Sequence, residues 1–263
     1  MNIAESNVRI DAHGRVIPHG LQASAHTTSR RYFKIEPCDR PPEVSLERLQ
    51  RYLGISASWT AATFVAQTEQ IRNRIRSDAA LAPLLNGVHV PFILPKIPKK
   101  DTGTLLEEQF LPAVGQAFES TQPGGQFVNH VPHSLAECLS PAPGSRHQRM
   151  VEEAHQREVV GIYFPCLTEY SVPAALEAIA AFPDDFLLAG GFDTSAALVA
   201  APDLLIRTRG YPPLLWLSGL TGETPAVGYH FEPYGLNLTF NRRAHLGLAA
   251  EYWWSGLTVL GSK

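Results

Sequence analysis

The sequence predicts an α/β protein: a mixed β-sheet with flanking helices, a helical N-terminal segment and a β-rich C-terminal part. Three observations predict it. Apolar residues recur at helical spacing over residues 44–82. Strand and helix patterns then alternate from 87 to 205, the rhythm of helices packed on an at least partly parallel sheet. Beyond 206 the pattern shortens to strands and turns. A chain of 263 residues is long enough to bury a core without staples. The parts read as one domain: an irregular, Pro-rich segment over 1–43, a helix and strand core over 44–205, and the β-rich part over 206–263.

Composition excludes several function classes. The net charge of −3 and 44% hydrophobic content are ordinary for a globular protein, and the basic clusters are short, so no nucleic-acid partner is expected. Cys38, Cys138 and Cys166 are odd in number and far apart, which argues against a disulfide framework and for a reducing cytoplasm. No apolar run reaches membrane-spanning length, and MNIAESNVRID lacks the charged-then-apolar pattern of a secretory signal. The expectation is a soluble cytoplasmic protein with no membrane partner.

In chain order, Asp11-Ala-His13 is similar to the metal-binding DxH pair of amidohydrolases, but Gly14 favours a hairpin turn there, and no metal is expected. Ser45 caps a first helix with Leu46, Leu49 and Leu53 on one side, ended by Gly54. Ser58 caps a second, reaching about Ala79, with Phe64, Thr68, Ile71 and Ile75 on its apolar face. Arg72, Arg74 and Arg76 flank that face, Arg74 nearer its edge than Arg76; solubilising charge on buried stems is the commoner reading of such residues.

Gly87–Leu94 reads as the first core strand, with His89 in phase with Pro91 and Ile93. The helix that follows carries Glu107 and Glu108. At about 100° per residue, Leu106, Phe110, Ala113, Val114 and Ala117 share a face, Glu107 sits at its edge, and Glu108 points away. Pro112 lacks an N–H and crowds the carbonyl of Glu108, so the helix should kink or loosen there. A half-buried carboxylate beside a distortion has reason to hold its proton and act as a general acid/base. A glutamate merely tucked against apolar neighbours gives the same pattern.

Gln126–Val131 forms a second strand. Ser145 opens a helix over His147–Arg157, whose free N–H groups with Arg146 make either an anion site or a plain cap. Glu158–Cys166 is a β-rich run in which Cys166 reads as an inert thiol. A helix over Val172–Phe182, a strand over Asp185–Gly190 and a helix over Thr194–Ala201 follow, with Asp193 as that helix's cap or a pocket residue. Tyr229–Phe231 and Leu236–Phe240 make a hairpin about Pro233–Gly235. A last strand runs over Leu257–Leu260, and the aromatic crowding before it suits a flat ligand or a subunit interface.

The blocks GVHVPFILPKIP, DTGTLLEEQFLPAVGQAF, PGSRH, VVGIYFP and FLLAGGFDTSAALV, from Gly87 to about Leu205, resemble a small family of indole-handling cyclases. One branch is the bacterial β-carboline-forming Pictet–Spengler synthases of the marinacarboline and streptonigrin type, the other the scytonemin biosynthesis cyclase. The resemblance implies a condensation of tryptophan or a substituted tryptophan with an aldehyde, without a cofactor, in a homodimer. It implies a catalytic Glu assisted by an Arg and a His. The Glu falls on Glu107 or Glu108, and the helical wheel chooses Glu107; the His falls on His89; the Arg falls on Arg74, with Arg72 next. Arg146, Arg72, Asn129 and Asp193 are the expected substrate contacts. Two alternatives stand beside this reading: a scytonemin-type cyclase that decarboxylates an indole β-keto acid, and a non-catalytic indole-binding protein.

Overall fold

A computed structural model of the chain describes residues 8–37, 40–206 and 210–261. Cys38 and the first seven residues lie outside the described residues. The chain is a mixed α/β protein. Helices dominate its N-terminal half and strands its C-terminal part.

Helix α1 runs Pro42–Leu53 and α2 runs Ala61–Ser77. Leu46, Leu49 and Leu53 are buried on α1, and Gly54 ends it at φ 70°, a left-handed turn that glycine takes without steric cost. The expected caps are corrected. The first helix begins four residues earlier, at Pro42, a proline suited to a first turn, and Ser45 lies inside it, donating to the carbonyl of Ala200 at 3.2 Å. The second is capped by Thr60 and Thr63 reciprocally, because Ser58 is tied into a turn with Ser56. Phe64, Thr68, Ile71 and Ile75 are the buried face of α2, as expected.

The glutamate-bearing helix comes in three pieces: α3 over Thr102–Leu105, a π-helical turn over Leu106–Phe110, and α4 over Leu111–Thr121. The Leu111 N–H donates to the carbonyl of Leu106, five residues back. Pro112 offers no N–H to Glu108, and the widened turn accommodates its ring. The distortion falls where the proline placed it.

The main sheet has eight strands. Next to one edge of the sheet β4, Val159–Thr168, is buried at every position, as its continuous apolar run demands. On one side lies β1, Val90–Leu94, antiparallel, with Val90 opposite Tyr163. On the other lies β10, Trp253–Leu260, also antiparallel. The short β5, Phe186–Leu188, pairs with β10 as well. The sheet continues through β6, Leu214–Trp216; β8, Gly228–Tyr234; β9, Asn237–Arg243; and β2, Phe127–Asn129. Parallel pairing occurs between β10 and β6 and between β9 and β2. The strands of the alternating region therefore do not pair parallel with one another, as the rhythm had suggested. The long connection between β1 and β4 lets the chain return antiparallel. The expected hairpin forms with a tighter turn: Pro233 belongs to β8 and faces Leu238, and the turn is at Gly235 and Leu236. A separate ribbon joins β3, Ser140–Pro141, to β7, Leu220–Thr221.

Helix α5 spans Arg146–Ala154, and α6 spans Val172–Ala178 before a 3₁₀ turn. Helix α7, Gly191–Ala200, is buried throughout and packs on α1, α4 and β1. Residues 8–37, the described part of the N-terminal segment, have no helix or long strand. A bridge from Ile10 to Val16 closes the segment's own turn, and bridges from Ala25 to Tyr170 and from Phe33 to Tyr211 stitch it to the rest. Gly14 stands at φ 79° in the expected turn, so close to Gly87 that a Cβ there would meet the Gly87 nitrogen at 2.6 Å.

Candidate functional site

Helix α2 and the approach to β1 enclose a cavity of about 450 Å³. Apolar walls come from Phe64, Val65, Val90, Pro91, Ala201 and Leu204. Its polar groups are Glu69 and Arg72 from α2, His89 from the loop entering β1, and Arg40. The 3.6-residue period that buries Thr68 and Ile71 leaves Glu69 and Arg72 together at the edge of that face. The Arg72 guanidinium donates to Glu69 at 2.6 Å, and Arg40 is paired with Asp203.

The ring of His89 stacks on Phe164 with centroids 5.7 Å apart. Its Nδ1 lies 3.0 Å from the Gly87 carbonyl. A carbonyl accepts and cannot donate, so Nδ1 bears the hydrogen and Nε2 keeps its lone pair. Burial lowers the His89 pKa, opposed by that carbonyl, with the Arg72 charge lowering it further. The imidazole is thus a neutral base at neutral pH.

No family model, curated protein or solved structure matches the chain.

Of the residues singled out in the sequence, His89 and Arg72 come together in this cavity. The others stand elsewhere. Arg74 projects to the far side of α2, where it pairs with Asp185 at 2.9 Å and donates to the Leu260 carbonyl. Glu107 is half-buried, as the wheel indicated. Its Oε2 accepts from the Ser134 hydroxyl at 2.6 Å and the Leu135 N–H at 2.9 Å, so it pins the 134–135 turn and borders none of the cavities described here. Glu108 is exposed beside Lys100.

The four substrate-contact expectations divide similarly. Arg72 stays in the cavity. Asn129 accepts from the Val131 N–H and shapes a turn. Asp193 is wholly buried at the third position of α7, accepting from the Gly190 N–H and the Thr258 hydroxyl, so it caps the helix and faces no cavity. Arg146 donates to the carbonyls of Ile179, Phe182, Pro183 and Phe186 and pairs with Asp184. Ser145 is an ordinary cap bonded to the Gln148 N–H. The expected anion site is therefore a structural clasp, because its guanidinium is spent on backbone.

Two features of the sequence carried no functional reading and acquire one. Glu69 stands three residues before Arg72, a spacing that reads as a solvated surface pair. Arg15, in the irregular segment, proves to be buried. Among the described residues no group of three or more His, Cys, Asp or Glu side chains is placed to hold a metal ion. No helix among them is long and apolar enough to cross a membrane.

Proposed function

We propose that the protein is a cyclase of the Pictet–Spengler type, working in the cavity of Glu69, Arg72 and His89 and not at Glu107. One observation carries the reading: a base, an arginine and a carboxylate share one apolar-walled cavity of about 450 Å³. That volume lies within the range of sites for molecules the size of an indole amino acid.

The chemistry needs these residue types. An amine and an aldehyde form a carbinolamine, which loses water to an iminium once a proton is supplied. The indole carbon then attacks, and a base removes the ring proton to restore aromaticity. His89, neutral with Nε2 free, is the base. Glu69 has one oxygen uncommitted to Arg72 and is the second proton carrier. Arg72 retains donors for the amino acid's carboxylate in forked geometry. Acid/base help of this kind is worth about 10²–10⁴-fold, and holding both reactants together adds on the order of 7–11 kcal/mol.

The test is product formation from tryptophan and an aldehyde panel, followed by mass spectrometry and chiral chromatography against an enzyme-free blank. Wild type should give a single diastereomer of a tetrahydro-β-carboline from L-tryptophan above the blank. His89→Ala and Glu69→Gln should fall to the blank, and Glu107→Gln should not. The blank's mixture of diastereomers at the blank rate throughout would end the cyclase reading. An inactive Glu107→Gln beside a normal His89→Ala would move the chemistry back to the distorted helix.

A further inference from the structure

A second, smaller cavity of about 240 Å³ adjoins the first. The two share Pro37, Gly87 and Val88 as lining. The N-terminal segment forms most of the smaller one, with Thr168, Cys166 and Trp254 from the sheet behind it.

Its charge is unbalanced in a particular way. Arg15 lines it and is only 8% exposed. Every acceptor of that guanidinium is neutral: the Thr168 hydroxyl at 2.7 Å and the carbonyls of His26, Thr27 and Thr168. No carboxylate pairs with it among the described residues. Glu169, next in sequence to Thr168, spends its two oxygens on His26 and Ser29. A buried cation with no counter-ion is costly.

Two further cations, Arg31 and Lys34, line the same cavity and form no ion pair among the described residues. Arg31 is held at φ 52°, a left-handed conformation unusual for a side chain of this size. The carboxylates in the lining are Asp11 and Glu36. Asp11 accepts through Oδ1 from the N–H groups of His13 and Arg15, closing the turn, and Glu36 is exposed; neither pairs with Arg15.

We infer that the smaller cavity is an oxyanion subsite, in which Arg31 and Lys34 hold the carboxylate or phosphate group of a small metabolite and the buried charge of Arg15 lies behind them. The ligand supplies Arg15 with the counter-charge that no described carboxylate gives it. Its uncharged end would lie toward Gly87 and Val88, and so toward His89. That this molecule is the carbonyl partner of the condensation rests on the cyclase reading; that the site takes an oxyanion does not.

Titration calorimetry on the intact protein separates the two claims, because it reads binding and not turnover. The probes are pyruvate, its uncharged methyl ester and inorganic phosphate. At least one of the two anions should bind, with the ester more than about tenfold weaker than pyruvate, as the loss of a charge-assisted contact predicts. The stronger of pyruvate and phosphate identifies the group the site takes. The double variant Arg31→Ala/Lys34→Ala alters two exposed side chains and should keep its fold. It should lose at least about tenfold in affinity, whereas His89→Ala should leave the affinity unchanged. Absence of binding heat with both anions, or an unchanged affinity in the double variant, would overturn the subsite. A chain that binds anions in this pattern but makes no carboline retains the subsite and loses the cyclase.

Discussion

Glu69 and Glu107 invite comparison. Both are half-buried glutamates on helices, each at the edge of an apolar face, each bonded through a side-chain oxygen. Glu69 shares its cavity with His89. Glu107 faces a loop and closes it by accepting from Ser134 and Leu135. Partial burial at a helix distortion is therefore not by itself a mark of acid/base chemistry. What matters is whether the carboxylate opens onto a space large enough for a reactant and shared with a second titratable group. The π-turn beside Glu107 has a sufficient local cause in Pro112.

The comparison breaks most decisively at His89. His89→Ala should reduce kcat/KM by at least about 10²-fold, measured by initial rates of carboline formation, with the melting temperature nearly unchanged. Arg146→Ala should do the opposite. Removing the clasp on residues 179–186 leaves several carbonyls without a donor, so the loss in denaturant-derived stability should be about 3 kcal/mol, with ligand binding to the folded protein retained.

The next effect is on stability against pH. Burial lowers the pKa of His147, of His230 and of His89, in each case as the largest cause. The unfolded chain takes up protons near pH 6.5 while the folded chain does not. Stability is therefore full above about pH 6.5 and falls as pH drops below it, by up to about 1.4 kcal/mol per pH unit for each fully linked histidine. Urea midpoints from pH 8 to pH 5 would show it; a flat profile below pH 6.5 would contradict it. The smallest effect sharpens the contrast with Glu69. Glu107→Gln should cost about 1 kcal/mol through weakened bonds to the 134–135 turn, with a turnover rate within about twofold of wild type.

Much of the fold is legible along the chain. Phe64, Thr68, Ile71 and Ile75 mark the buried face of α2 because helical spacing shows directly in apolar residues. Gly54 marks the end of α1 and the Pro112 ring marks the distorted turn, since both act through backbone geometry within a few residues. The run at β4 shows its burial because it has no polar side to offer. The caps are less legible: Ser45 and Ser58 have the right chemistry, but a preceding proline and a better-placed threonine prevail. Of the candidate residues, His89 and Arg72 share one cavity. Arg74 differs from Arg72 by two positions, about 200° around the helix, so the pair face opposite sides: one the cavity, the other Asp185.

The sequence by itself determined the element types, the apolar faces and the place where Pro112 distorts its helix, because those follow from periodicity and backbone chemistry within a few residues. The tertiary structure decided which polar side chains share a space. It set Arg72 rather than Arg74 beside His89, spent Arg146 and Glu107 on the backbone, and buried Arg15 without a counter-ion. The physical reason is that a side chain's direction around its own helix is local, whereas what it meets is set by strands and loops far away in the chain.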